Sequence, residues 1–298
     1  MFKKILIPLD GSDLAEQALE PASRLVEPFS GQLILMCLAS RQTFSAETAD
    51  DAAAPLAPDE AEAYLHQIEQ QTRQFNCTVQ TKRMDKMDAA AIVETAAAEA
   101  VDLVVMADQG TSGLKGWLLG NPTELVIHQA PCPVLVVRSA APWSKVAVAL
   151  NGEEWAEAIL PLATHIAQNT TASLTLLHIL EDIADLENMQ LGELEGLGSV
   201  PTNPERDVQA RAEGLAYLQQ VSAQLPSLSE SVQMELLTGS AVPSLRRYVE
   251  TEQVDLVALS THNRSGWQRW VHRSTVDEFL RGTDIALLVV PIADESIA

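Results

Sequence analysis

Lys4-Ile5-Leu6-Ile7-Pro8-Leu9-Asp10-Gly11 and Lys145-Val146-Ala147-Val148-Ala149-Leu150-Asn151-Gly152 are two versions of one segment: a lysine, an apolar run, then an Asp/Asn-Gly turn. Working outward, an amphipathic pattern after each predicts a helix, over 13–26 and over 154–168. A second apolar run follows in each half (33–38 and 174–179), then a polar, acidic segment (40–59 and 181–205). Each half continues with a long helix, a strand near 78–83 or 232–237, and another helix. The closest match comes last. Val101-Asp102-Leu103-Val104-Val105-Met106 corresponds to Val254-Asp255-Leu256-Val257-Ala258-Leu259, Ser112-Gly113 to Ser265-Gly266, and Pro133-Val134-Leu135-Val136-Val137 to Ala286-Leu287-Leu288-Val289-Val290. The chain is an internal repeat, two copies of β-α-β-α-β-α-β-α-β joined near 140–144.

The strands are continuous apolar runs, the signature of strands covered on both faces of a parallel sheet. Strands alternating with helices make a doubly wound α/β arrangement. The expected fold is therefore two tandem doubly wound α/β domains, 1–141 and 142–298. Each carries a five-stranded, mostly parallel sheet with helices on both faces. A length of 298 residues suits two domains. Hydrophobic residues are 47% of the chain but aromatics only 4%, so the cores must be built from Ala, Val, Leu and Ile.

Charge excludes several functions. There are 19 Lys+Arg against 41 Asp+Glu, a net charge of −22, and both halves share the excess. Such a surface repels phosphate backbones and anionic headgroups, which argues against nucleic-acid and membrane partners. The apolar start Ile5-Leu6-Ile7 meets Asp10 too soon for an export signal. No run approaches the length of a membrane span. Cys37, Cys77 and Cys132 lack paired spacing, as expected of idle thiols in a reducing cytoplasm.

Ligands of parallel sheets bind beyond the carboxyl ends of the strands. There the first half brings Pro8-Leu9-Asp10, Leu38 and the glycine-bearing loop from Met106 to Pro122. Asn121 suits a helix N-cap, Pro122 the first helical position and Glu124 a capping box. Free N–H groups and the helix dipole make such a loop fit for phosphate; equally, the glycines serve turns alone. The six histidines show no metal-ligand spacing, and Ser112-Gly113 lacks the context of a hydrolase nucleophile. His178 reads as a satisfied residue near a strand end. Cys132, between two prolines, reads as the start of an edge strand.

Ile5 to Ser12, Asp102 to Met106 and Ala130 to Val137, in that order, resemble the universal stress protein family. The resemblance covers both halves, as in a tandem member with the adenine nucleotide alpha hydrolase-like fold. It implies an adenine nucleotide, ATP with accompanying Mg²⁺, held by Pro8, Leu9, Asp10, Leu38, Met106, Ala107, Gly110, Gly120, Asn121 and Pro122. Asp10 and Leu38 would flank adenine, and Gly110, Gly120 and Asn121 would face ribose and phosphates. The nucleotide-binding branch has Gly-x2-Gly-x9-Gly-(Ser/Thr) where this chain has Ala107, Gly110, Gly120 and Asn121. Ala107 would resist a backbone that needs positive φ or a close approach of the ligand, Pro122 removes a donor, and Asp108 sets a negative charge beside phosphate with Lys115 as the loop's cation. In the second half the same positions are Ser260, Asn263, Arg273 and Ser274, and Asn151 stands for Asp10. Arg264, Arg269 and Arg273 make that loop basic.

The resemblance also implies antiparallel pairing of the two last strands, so that one chain imitates a homodimer, with further association into dimers of chains. The expected function is stress response through nucleotide-dependent conformation and protein partners, with at most weak ATPase activity. Two alternatives stay open: an interaction protein without nucleotide, and an ATP-dependent ligase or adenylyl transferase.

Overall fold

The computed structural model describes residues 2–38, 57–84, 88–108, 122–138, 143–180, 204–225, 232–263 and 275–293. The first repeat comprises β1 (Lys4–Leu9), α1 (Asp13–Glu16), α2 (Leu19–Val26), β2 (Gln32–Leu38), α3 (Pro58–Thr72), β3 (Thr78–Met84), α4 (Ala89–Ala98), β4 (Leu103–Ala107), α5 (Pro122–Gln129) and β5 (Val134–Val137). The second comprises β6 (Lys145–Leu150), a 3₁₀ segment (Glu154–Ile159), α6 (Leu160–Thr170), β7 (Ser173–Leu180), α7 (Pro204–Ala223), β8 (Val232–Thr238), α8 (Ala241–Glu252), β9 (Leu256–Asn263), α9 (Thr275–Arg281) and β10 (Ala286–Ala293).

The helix predicted over 13–26 is broken: α1 ends at Glu16 and α2 begins at Leu19. Its counterpart over 154–168 starts as a 3₁₀ segment before α6. Pro21 and Pro161 lie in the first turns of α2 and α6, where a missing N–H costs no helical bond.

Two compact units emerge. One gathers Met1–Pro142 with Thr261–His272 and Leu280–Ala298, the other Trp143–Ser260 with Arg273–Phe279. In the first unit the strand order is β3-β2-β1-β4-β5-β10; in the second it is β9-β6-β7-β8. Neighbours β1, β2, β3, β4 and β5 pair in parallel, as do β6, β7, β8 and β9. β10 runs antiparallel to β5, with Leu287 opposite Val136 and Val289 opposite Val134. β5 is therefore interior, not the edge strand that Cys132 and Pro133 suggest. Pro133 precedes the first paired residue, so its missing N–H lies outside the ladder, while its carbonyl accepts from Val104 N at 3.0 Å. The pairing covers an apolar run that would otherwise invite aggregation.

Ile5 to Ile7, Leu33 to Cys37, Leu103 to Val105 and Val134 to Val137 are fully buried without alternation. That pattern demands helices on both faces. Each such aliphatic side chain contributes about 1.5 to 3 kcal/mol of burial, offset by chain entropy.

At the amino ends of the strands the two repeats keep the same backbone contacts, with one more side-chain bond in the second. Asp102 Oδ2 accepts from the backbone N–H of Lys3 (2.8 Å) and Lys4 (2.9 Å). Asp255 Oδ2 accepts from those of Ser144 (2.6 Å) and Lys145 (2.9 Å) and from Ser144 Oγ (2.7 Å). Lys4 Nζ donates to Glu99 O, and Lys145 Nζ to Glu252 O. Left-handed residues recur in register: Ser30 with Thr171, and Ala100 with Gln253.

Candidate functional site

β1 pairs with β2 along its whole length, to Leu9 opposite Cys37, yet with β4 only through Ile5 and Leu6. Pro8 explains how that parting is tolerated. It has no N–H to leave unsatisfied where the ladder toward β4 has ended. In the order β3-β2-β1-β4-β5 the chain reverses direction between β1 and β4, so the parted strands lie at the switch point where such sheets bind ligands.

Pro8 and Leu9 are buried in β1. Asp10, half-buried just beyond, accepts from Ser12 N (2.9 Å) and Ser12 Oγ (2.5 Å) through the single oxygen Oδ1. Gly11, at φ 86°, makes that turn, and Ser12 Oγ in turn caps α1 by accepting from Ala15 N (3.2 Å). The backbone of Leu38 closes β2 opposite Met84, and Met106 and Ala107 close β4 opposite Val136 and Val137. These ends lie on adjacent strands. Gly110, Gly120 and Asn121 fall outside the described residues, as do Lys115 and, in the second half, Arg264, Arg269, Arg273 and Ser274; α5 begins at Pro122, as its N1 preference predicts.

Two expectations about the loop are corrected. Ala107 is an extended residue of β4 and has no positive φ, so its methyl meets no backbone barrier there. In the second repeat Ser260 occupies the same position and its Oγ donates to Ala156 O (3.1 Å), which directs this side chain at the 3₁₀ segment that follows β6. Asp108 is no uncompensated charge either. Arg138 Nη2 meets its Oδ2 at 3.0 Å, the two side chains being 2% and 6% exposed. A cation beyond the loop had no signature in the sequence, because it lies thirty residues away on the far side of α5.

Sequence reasoning also missed a tyrosine. Tyr64 on α3 lies against Glu16, and Tyr217 on α7 lies against Glu157. Burial first, then the carboxylate, pushes both phenols well above the usual tyrosine range. The signal was present as Ala63-Tyr64-Leu65 and Ala216-Tyr217-Leu218, with a glutamate six residues past Asp10 and Asn151 alike. Two of the three thiols, Cys37 and Cys132, are buried. Burial, then the Asp10 charge, pushes Cys37 up to about 11; burial, then Asp102, pushes Cys132 up to about 12.

At the same end of the second repeat, Asn151 accepts from Glu153 N (3.0 Å) and Gly152 stands at φ 88°. His178, in the register position of Cys37, bonds the Leu150 carbonyl through Nδ1 (3.1 Å) and packs on Tyr217 with ring centroids 5.3 Å apart. It is a satisfied histidine, as its strand-end position suggests. Gly214 of α7 makes room for the ring, since a Cβ there would stand 3.1 Å from His178 Cδ2 and 2.8 Å from Leu236 Cδ1. β6 keeps pairing with β9 through Val148, one residue further than β1 with β4.

The sequence profile of the universal stress protein family matches residues 1–138 and again 142–291. The chain belongs to the universal stress protein family. A universal stress protein of Methanocaldococcus jannaschii is 31% identical over 141 residues, 46% of this chain and 83% of that relative. One from a Synechocystis strain is 32% identical over 138 residues, 86% of its length. The curated relatives thus correspond to one repeat. A universal stress protein structure from Archaeoglobus fulgidus is similar over 98% of this chain and 97% of that one, with a TM-score of 0.66 at 16% identity. A second solved structure, a putative universal stress protein of Pseudomonas aeruginosa, gives 0.67 at 17% identity, over 97% and 93% of the two chains. At such identities the likeness is one of fold: a tandem universal stress protein.

Proposed function

We propose that this universal stress protein binds one adenine nucleotide, at the carboxyl ends of β1, β2 and β4 in the first repeat. On this reading it serves stress response through nucleotide-dependent conformation and protein partners, in the cytoplasm. The observation that carries the reading is the parting of β1 from β4 at Pro8, with the half-buried Asp10 carboxylate beside it. Asp10 Oδ1 is fixed by Ser12, and the carboxylate so oriented can accept from the exocyclic amino group of adenine. Met106 at the end of β4 would supply an apolar wall beside the backbone of Leu9, and the start of α5 would favour an anion. Mg²⁺ would arrive with the phosphates. The second repeat lacks the carboxylate, and its Ser260 is spent on the Ala156 carbonyl.

The test is denaturing release and chromatography of nucleotide from freshly purified protein, quantified per chain. About one ATP or ADP per chain is expected, and thermal stabilisation by millimolar ATP–Mg²⁺ if the protein purifies empty. Neither result would leave the interaction protein without nucleotide. Steady-state formation of an adenylylated product would instead make it an enzyme.

A further inference from the structure

The Asp108–Arg138 pair does more than neutralise a charge. Arg138 Nη2 also donates to Leu280 O (2.7 Å), and its Nη1 donates to Thr283 O and reaches Thr283 Oγ1 (3.5 Å). One buried guanidinium therefore joins the residue at which the chain leaves β4 to the carboxyl end of α9. A second link is independent of the first. Arg281 of α9 grips Glu124, in the first turn of α5, through Nε–Oε1 (2.6 Å) and Nη2–Oε2 (2.8 Å). Glu124 is only 13% exposed, and the paired geometry is the strong one for arginine and carboxylate.

Asp108 and Glu124 flank the segment that carries Gly110 and Gly120. Glu124 is held directly by Arg281, and Asp108 through Arg138, from one four-residue stretch, Leu280 to Thr283, which comes from the second repeat but lies in the first compact unit. The arrangement is one-sided. At the positions equivalent to Asp108 and Arg138 the second repeat has Thr261 and Pro291, which cannot form this pair.

We propose that Leu280–Thr283 is a clamp on both shoulders of the first repeat's ligand loop, with Arg138 as its positioning residue. Occupancy of the first-repeat site and the packing of α9 are then one equilibrium: ligand that fixes Asp108 and Glu124 tightens α9, and loosening α9 weakens the ligand. The proposal rests on the nucleotide reading above only for the identity of the ligand. A buried arginine bound to a carboxylate and two carbonyls can change partners only as a set, so its two ends move together.

The experiment is amide hydrogen exchange on the full chain, comparing the wild type with Arg138→Met and with the double change Asp108→Leu, Arg138→Met. The double variant removes both charges, so it stays folded where the single one leaves a carboxylate buried and unpaired. We expect exchange to rise by about tenfold at both 103–108 and 275–283, a change on the scale of coupling between sites. Exchange in α2 and α6 should not move. Arg281→Met should loosen α9 and α5 together in the same way. ATP–Mg²⁺ should protect 275–283 in the wild type and lose most of that protection in the double variant. Uniform exchange changes, or a rise at 103–108 with 275–283 unmoved, would overturn the clamp. The exchange comparison without ligand decides whether the two ends move together, and the loss of ATP–Mg²⁺ protection at 275–283 in the double variant decides their coupling to the ligand; failure to bind any nucleotide would overturn the preceding reading and, with it, that coupling.

Discussion

The amino ends and the carboxyl ends of these strands contrast in how closely the two repeats agree. At the amino ends both repeats keep an aspartate on the backbone N–H groups that open the first strand, a lysine on a helix-end carbonyl, and left-handed residues at the same places. At the carboxyl ends the turn glycines Gly11 and Gly152 and the Tyr–Glu pairs are kept, but the positions around them differ: Pro8 and Ala149, Asp10 and Asn151, Cys37 and His178, Ala107 and Ser260, Asp108 and Thr261, Arg138 and Pro291. The matched ends organise backbone that any copy of the fold must satisfy. The divergent ends concern only what binds there, and the two copies are free to differ.

If that division is right, damage at the amino ends should be large and equal. Asp102→Ala and Asp255→Ala should each cost about 1.5 to 3 kcal/mol in urea unfolding, the range for hydrogen bonds to a charged group. Equal costs sharpen the comparison; a cost at one site alone breaks it. Acid should reveal the same contact. Burial alone would raise the Asp255 carboxyl, but hydrogen bonds from Ser144 and Lys145 and the Lys145 charge outweigh it and hold the group below the usual carboxylate range. Its folded value lies below its unfolded one, so its contribution is complete above about pH 4 and vanishes as pH falls through the lowered value. The stability gap between wild type and Asp255→Asn should therefore close in acid, as followed by urea midpoints from pH 6 downward.

Smaller effects probe the backbone. Ala100→Gly and Gln253→Gly should each stabilise by about 0.5 kcal/mol, because glycine relieves the left-handed strain but loses more entropy on folding. Thermal denaturation would show shifts of similar size in both repeats. Opposite signs would mean the two positions are not equivalent.

The repeat and the strands were legible because burial on both faces writes itself as unbroken runs such as Leu33 to Cys37. Asp10-Gly11-Ser12 was legible too, since a turn residue, a positive-φ glycine and a cap lie next to one another. The breaks in the helices after β1 and β6 were missed because amphipathic spacing continues across Pro21 and Pro161 while the hydrogen bonding does not. The Arg138 contacts were beyond reach for a different reason. They span separations of 30, 142 and 145 residues and join side chains to main-chain oxygens, which carry no residue identity. Tyr64 and Tyr217 fall between these cases: the duplicated motif was visible, but its glutamate partners lie on other elements.

The most direct test of the whole account is a calorimetric titration of the full-length chain with ATP–Mg²⁺, run beside Asp10→Ala and Asn151→Ala. The account predicts one site per chain, weakened at least tenfold by Asp10→Ala, as expected when a charged hydrogen-bond partner is lost, and unchanged by Asn151→Ala. Two equal sites, or a single site that responds to Asn151 and not to Asp10, would contradict it.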